Sequence, residues 1–474
     1  MHFDDSAIAA PSAYVDAGPW YREMTRYHWF VLIVAALGWL FDTMDQQLFN
    51  LARKPAITQL LGTTATDKSM SGKVDLVSGA ATSVFMIGWA IGGLIFGVVG
   101  DRLGRAKTMM LTIFLYAAFT GLSALSVGVY DFAVYRFLTG LGVGGEFAVG
   151  VALVAETVSD RARPFALGLL QALSAIGNMM AAVIYIFLGK MEESGAIGTA
   201  WRATFLIGVV PALLVVPIFL WLKEPEKWKQ AVARRKAERE EGLVADGPAA
   251  GSFAELFGVP RWRRNTIVGM LLAFSGVVGL WGIGFFSPDL MRSVFRKAYE
   301  GQGLPEKVLS GKITFFVGVA FLFQNFGAFL GINAFSFVTH RLGRKPTFAI
   351  SFVLALLATA FTFWFMGRLF GFYDVFLLVT IMGFCQLALF GGYAIYLPEL
   401  FPTRLRSTGT SFCYNVGRLV AAAGPFTLGF LTSDVFRGYN EPMRYAGVAM
   451  CSVFLLGLVA LPFAPETKGH PLPE

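Results

Sequence analysis

Gly97-Val-Val-Gly-Asp-Arg-Leu-Gly-Arg-Ala-Lys107 lies between two long apolar runs. A charged stretch this short, flanked by segments each long enough to cross a bilayer, is a tight connection at one membrane face. Gly92, Gly93 and Gly97 let the end of one helix approach another closely. Asp101 is placed to cap or pair at the helix end, while Arg102, Arg105 and Lys107 hold the connection in the cytoplasm. A second copy, His340-Arg-Leu-Gly-Arg-Lys345, carries histidine where the first carries aspartate. Its recurrence in the second half argues against an incidental basic loop.

The surrounding composition agrees. Of 474 residues, 55% are hydrophobic and 15% charged, with a mean hydropathy of +0.61. Soluble domains carry about 25% charged residues, so the chain is an integral membrane protein. The net charge of +8 is spread between apolar runs and sets topology, rather than forming a stripe for nucleic acid. Cys385, Cys413 and Cys451 fall singly in apolar segments, which suits neither a disulfide framework nor a metal site. The first 26 residues are polar and include Asp4, Asp5 and Asp16, unlike a cleavable signal peptide. The first apolar helix is therefore expected to stay as an anchor.

Taking about 20 apolar residues per span, we read twelve: 28–50, 76–99, 108–127, 131–154, 164–189, 203–222, 266–289, 313–337, 347–366, 374–396, 408–431 and 443–463. The expected organisation is an all-α integral membrane protein. It comprises an N-terminal segment (1–27), a six-helix half (28–222), a linker (223–265), a second half (266–463) and a tail (464–474). The linker contains Arg234-Arg-Lys236, the alternating charges of Glu238-Arg-Glu-Glu241 and a Gly/Pro/Ala stretch. Placing both termini in the cytoplasm puts 23 Lys and Arg on the inner side and 14 outside, with Arg136 and Arg418 inside spans. Trp20, Tyr27 and Trp29 at the first entry suit an interfacial aromatic belt.

An internal repeat supports the count. Asp101 and His340 are offset by 239, Glu156…Arg161 and Glu399…Arg404 by 243, and Pro225-Glu226 and Pro465-Glu466 by 240. Three landmarks at nearly one spacing imply two halves in parallel repeat, with a substrate site at mid-membrane between them.

The signature and its copy resemble the connection between helices two and three of the major facilitator superfamily of transporters. Ala155-Glu-Thr-Val-Ser-Asp-Arg-Ala-Arg163, Pro398-Glu-Leu-Phe-Pro-Thr-Arg-Leu-Arg406 and the terminal Pro465-Glu-Thr-Lys-Gly469 resemble motifs of its sugar-porter and metabolite:proton symporter branches. The resemblance covers nearly the whole chain. It implies twelve helices in two six-helix halves that rock to alternate access. The expected gate comprises Gly97, Asp101, Arg102, Gly104, Arg105, Arg341 and Arg344, with the pairs Glu156–Arg161 and Glu399–Arg404. Exposed pairs of this kind contribute only ~0–1 kcal/mol each, which suits contacts broken in every cycle. Plain helix-end charge is the competing reading.

Span four contains Arg136-Phe-Leu-Thr-Gly-Leu-Gly-Val-Gly-Gly-Glu146. Gly140, Gly142 and Gly145 match a dinucleotide fingerprint in spacing only, since no strand precedes them. Gly140 and Gly144, four apart, suit close helix packing. The resemblance associates Arg136 with proton coupling; a lipid-headgroup anchor is the alternative. In Phe41-Asp-Thr-Met-Asp-Gln-Gln47, Asp42 and Asp45 share one helix face. Carboxylates within a span face a cavity or a partner, and with Glu146 they are candidate proton carriers. The pattern resembles the first-helix motif of aromatic-acid:proton symporters, with Thr43 in place of its usual glycine; polar residues at a helix end are the competing reading.

Span eleven contains Tyr414-Asn-Val-Gly-Arg418. Arg418 is expected either to bind an anionic substrate or to neutralise Asp42, Asp45 or Glu146. Other candidate lining residues are Asn415, Gln171, Asn178, Trp281, Gln386 and Tyr393; for each singly, packing explains it as well. Gln171 to Gly177 resembles a sugar-porter pattern, but Phe274-Ser-Gly-Val-Val-Gly-Leu-Trp281 lacks paired glutamines for sugar hydroxyls. Residues 166–188 lack the Gly-Pro-Gly-rich motif of drug antiporters. No nucleophile–base pair, metal cluster or ATP loop suggests an enzyme, and no cofactor is expected. The expected function is proton-coupled uptake of a small organic anion across a bacterial-type inner membrane by a single chain. A sugar or polyol symporter is the alternative, and a non-transporting membrane sensor a further one.

Overall fold

The computed structural model describes residues 19–63, 70–240, 250–283, 287–299, 302–303, 306–421, 427 and 430–473. All regular structure among them is helical. The first half comprises α1 (Arg26–Leu60), α2 (Ser71–Leu103), α3 (Arg105–Ser123), α4 (Val129–Thr157), α5 (Arg163–Glu193) and α6 (Ala200–Trp221). Two short linker helices follow, Glu226–Glu240 and Phe253–Gly258. The second half comprises α7 (Pro260–Val278), α8 (Glu306–Leu342), α9 (Arg344–Phe365), α10 (Asp374–Glu399), α11 (Arg406–Ala421) and α12 (Pro442–Phe463). Ten described helices are long and apolar enough to cross a membrane; α7 and α11 complete the twelve.

Two spans contain π-helical turns. Within 266–289, α7 passes into a π-helical turn, Gly279–Ile283, and Ser287–Ala298 is helical. Glycine-rich sequence there weakens the regular ladder. In 408–431, α11 is described as far as Ala421, and a second π-helical turn occupies Leu431–Val435. Elsewhere helices overrun their apolar segments, as in α1 and α8, because helical hydrogen bonding continues into polar residues beyond the hydrocarbon.

The halves pack alike. α2 lies on α4, α3 on α4 and α1 on α5, mirrored by α8 on α10, α9 on α10 and α7 on α11. Between halves, α5 packs on α8 and α2 on α11. Small residues make these approaches possible. A Cβ at Gly92 would run into the backbone of Leu141, and one at Gly144 into the backbone of Trp89 and Gly93. Gly93 and Gly97 instead face Asn415 and Ser411 of α11. Gly92→Val is expected to force α2 from α4, at the ~1–3 kcal/mol of an overpacked core. A lowered thermal midpoint and loss of the monodisperse peak on size exclusion would register it.

Candidate functional site: a closed face and a buried charged centre

A single glycine joins α2 to α3. Gly104 adopts φ +111°, and its counterpart Gly343, joining α8 to α9, adopts φ +97°. Such backbone favours glycine, and a Cβ at either would collide with a carboxylate, that of Glu224 or Glu466. Those carboxylates cap the following helices. Glu224 accepts from the backbone N–H groups of Arg105 (2.6 Å), Ala106 (3.2 Å) and Lys107 (3.2 Å). Glu466 accepts from Arg344 (2.9 Å) and Lys345 (3.0 Å). Burial would raise the Glu466 carboxyl, but backbone donors of Arg344, Lys345 and Lys468 outweigh it and hold it low. The repeat landmark is therefore corrected: the equivalent of Glu466 is Glu224, not Glu226, whose side chain pairs with Lys229 at the surface.

This face is closed. Asp101 accepts from the backbone of Ser407 (3.1 Å) and Thr408 (2.9 Å) and from the Thr408 hydroxyl (2.7 Å), capping α11 from the opposite half. It also pairs with Arg105 at 3.0 Å. The expected Glu156–Arg161 and Glu399–Arg404 pairs are not the ones that form. Glu156 is held by Arg105 (2.9 Å) and Arg406 (2.6 Å), with all three side chains fully buried. Glu399 is held by Arg344 at 2.6 Å. Arg161 reaches Glu23 (3.0 Å) and Arg404 reaches Glu255 (2.6 Å). The first arginine of each Arg-x-Arg points outward at the helix end, whereas the second, Arg163 or Arg406, turns back to the carbonyl eight residues earlier, of Ala155 or Pro398. Arg102 donates to the Ala250 carbonyl (2.9 Å), and the Arg341 carbonyl accepts from Lys468 (2.7 Å).

Deeper in the first half, α1 presents Gly38, Asp42 and Asp45 toward α3 and α4. Both aspartates are fully buried, and none of their oxygens accepts a hydrogen bond of standard geometry among the described residues. Arg136 is also fully buried, 3.8 Å from Asp45. It donates to Ser123 (2.7 Å) and Thr139 (2.9 Å), and its guanidinium lies 4.8 Å from the Phe205 ring centre. That placement removes the lipid-headgroup reading. Glu146 accepts from Thr112 at 2.9 Å, and its other oxygen occupies the space over Gly38, where any Cβ would collide. The polar-helix-end reading of Asp42 and Asp45 fails for the same reason: they lie inside the bundle.

Arg418 of α11 crosses to the same centre. Its guanidinium lies 3.8 Å from the ring centre of Trp89 on α2 and 4.2 Å from that of Tyr414. One amino group donates to Asn415 (2.9 Å), while Nε is buried with no hydrogen-bond partner among the described residues. Asp42 interacts electrostatically with Arg418, Glu146 and Asp45. Tyr414 stacks on Phe147 of α4 at 4.2 Å, and Phe147 packs on Trp39 at 4.8 Å, so aromatic rings bridge the halves beside the charges. Asn178 of α5 donates to Asn325 of α8 at 3.2 Å. Gln171 is buried, with its carbonyl oxygen unpartnered among the described residues. Gln386 and Tyr393 are engaged within the second half, Gln386 with the Gly279 carbonyl (3.2 Å) and Tyr393 with that of Leu272 (2.7 Å). Trp281 lies outside the described side chains.

Residues 31–474 match the family described as "Sugar (and other) transporter". The chain is a member of this family, within the major facilitator superfamily. It is similar to a probable 4-methylmuconolactone transporter of Cupriavidus pinatubonensis, 27% identical, covering 95% of this chain and 93% of that one. It is likewise 27% identical to the cis,cis-muconate transport protein of Acinetobacter baylyi, over 79% and 83% of the two chains. In structure it resembles the proton:xylose symporter XylE, with a TM-score of 0.71 at 17% identity over 94% of this chain and 98% of that one. Family and fold are those of transporters, not enzymes.

This major facilitator chain departs from its own internal symmetry at one informative place. The equivalents of Ser407 and Thr408, counted from Arg406 and Arg163, are Pro164 and Phe165. Proline has no N–H and phenylalanine no hydroxyl, so an aspartate at 340 would lose two of the three donors that Asp101 enjoys. His340 instead lies 5.0 Å from the Phe165 ring, on which Trp20 stacks at 5.4 Å. Arg406, Glu224, Trp89 and Tyr116 hold places at the site that their sequence context alone does not assign. Arg-x-Arg after spans four and ten signalled the first; the others read as an ordinary linker charge and two core aromatics.

Proposed function

We propose that this transporter takes up a small organic anion, such as an aromatic or sugar acid, together with protons across a bacterial-type inner membrane. The signature face and both termini lie in the cytoplasm. The observation that carries the reading is Arg418, a buried cation between two aromatic faces with a donor left unpartnered among the described residues. A planar guanidinium matches a carboxylate, and charge-assisted bonds in such a site are about twice as strong as neutral ones. Asn415 and Tyr414 supply neighbouring polar groups, and α5 adds Gln171 with an unpartnered carbonyl oxygen among the described residues and Asn178 at the contact between halves. Asp42, Asp45 and Glu146 facing Arg136 and Arg418 form a centre with more acid than base, which favours proton uptake. Relatives named for muconate and a muconolactone, and the resemblance to a proton symporter, support it. A thermal-shift screen of detergent-purified protein against carboxylates, sugar acids, sugars and nicotinate tests it. Carboxylates should raise the midpoint, by about 2.7 kcal/mol of stabilisation at a hundredfold excess over Kd. A response to sugars or polyols alone would replace the anion reading.

The gate follows from the closed face. Glu156 with Arg105 and Arg406, and Asp101 capping α11, hold the cytoplasmic ends together and favour the outward-facing state. A buried pair costs desolvation that offsets its attraction, so its hydration on opening need not be prohibitive. Asp101→Asn should open this face more often. Val149, fully buried below Gly100, is a reporter. Maleimide labelling of Val149→Cys is expected to quicken several-fold in the Asp101→Asn background; an unchanged rate would leave these charges to assembly alone.

A further inference from the structure

α3 carries Thr112, Tyr116, Thr120 and Ser123, all fully buried. At spacings of four, four and three they share one helix face, along about 16 Å at 1.5 Å per residue. Each faces a charged group of the buried centre. Thr112 donates to Glu146 at 2.9 Å, and Ser123 accepts from Arg136 at 2.7 and 3.0 Å. Thr120 and Asp45 both border Gly208 of α6, with the Thr120 hydroxyl making no hydrogen bond of standard geometry among the described residues. Tyr116 stands between these ends. Its hydroxyl has no hydrogen-bond partner among the described residues. Tyr116 lies one turn from Thr112, which bonds Glu146 of α4, and one turn from Thr120, which borders Gly208 with Asp45 of α1. It couples electrostatically to Glu146, Asp42 and Asp45. Gly142 lets α4 meet α3 directly there, since a Cβ would fall 2.6 Å from the Tyr116 nitrogen. From α6, Arg202 turns away to the carbonyls of Ala124 and Ser126.

A buried hydroxyl without a partner costs about 1–3 kcal/mol, and phenylalanine would fill the same space without that cost. We infer that the Tyr116 hydroxyl is a proton relay, joining the Asp45–Arg136 pocket to the Asp42–Glu146 pocket through the hydroxyl face of α3. In each passage Tyr116 Oη accepts a proton from a protonated carboxyl on one side as it gives its own to a carboxylate on the other, and rotation of the O–H restores it. No net charge stays on the phenol.

The inference rests on proton coupling, and the test separates the two. Proteoliposomes would be assayed with radiolabelled cis,cis-muconate, nicotinate and N-acetylneuraminate, under an inside-alkaline gradient and in substrate counterflow. Tyr116→Phe should slow gradient-driven uptake at least tenfold while retaining counterflow, and its rate should become more sensitive to D2O than that of the unmodified protein. A merely structural role for the ring would leave the isotope effect unchanged. If unmodified protein responds to the gradient and Tyr116→Phe keeps its rate and isotope effect, the relay is wrong and coupling stands. If unmodified protein ignores the gradient, coupling fails and the relay with it.

Discussion

Asp45→Asn should abolish uphill uptake while leaving substrate counterflow at least partly intact. Asp45 is the carboxylate 3.8 Å from Arg136, both fully buried. In the ionised state the pair is balanced; protonation releases Arg136, which remains held by Ser123 and Thr139. Asparagine keeps the shape but cannot alternate between charge states, so exchange of substrate survives and linkage to the gradient does not. With one proton more than the anion's own charge, the driving force is about 2.3 kcal/mol for the net charge moved through 100 mV, or roughly fiftyfold in accumulation at 1.4 kcal/mol per tenfold. That accumulation ratio should fall to unity. Asp42→Asn tests the second candidate carrier in the same assay, and normal gradient-driven accumulation by both single variants would remove the aspartates from the mechanism.

The second large effect concerns Arg418. Arg418→Ala should lose ligand binding altogether, because the aromatic walls of Trp89 and Tyr414 then surround no cation. Arg418→Lys keeps the charge but loses the planar fork and its fit between the rings, so affinity should fall at least tenfold while the protein still folds. A competing account gives Arg418 only the task of neutralising Asp42, with which it interacts. Under that account Arg418→Ala leaves an uncompensated buried carboxylate, at about 3–5 kcal/mol, and Asp42→Asn added to it restores the protein. Calorimetric titration of the double variant decides: recovered stability without recovered affinity fits recognition, and full recovery of affinity contradicts it.

The architecture was legible because a bilayer fixes how long an apolar run must be and charges punctuate the runs. The glycine signature also read through to structure, since Gly104 joins two helices where no other residue fits the conformation. What the sequence hid were partners distant in the chain. Glu156 and Arg161 lie five residues apart, so pairing them is natural, yet the helix end turns Arg161 toward Glu23 and folding brings Arg105 and Arg406 to Glu156. Glu224-Pro-Glu226 offers two carboxylates around one proline, and only the turn at Gly104 selects the first. Asp42, Asp45, Glu146 and Arg418 stood out as charges inside apolar spans. Trp89, which makes Arg418 a sandwiched cation, reads in sequence as one more core aromatic, and the buried hydroxyls of α3 read as neutral helix positions.

The most direct test of proton-coupled anion uptake needs no imposed gradient. Purified protein in proteoliposomes, suspended in weakly buffered medium with a membrane-impermeant pH dye outside, would receive cis,cis-muconate, nicotinate or a sugar acid. Co-transport predicts an alkalinisation of the medium that begins with addition of the anion, is abolished by protonophore and is missing in Asp45→Asn. Entry of the labelled anion with no change in external pH, or alkalinisation driven only by a neutral sugar or polyol, would contradict it.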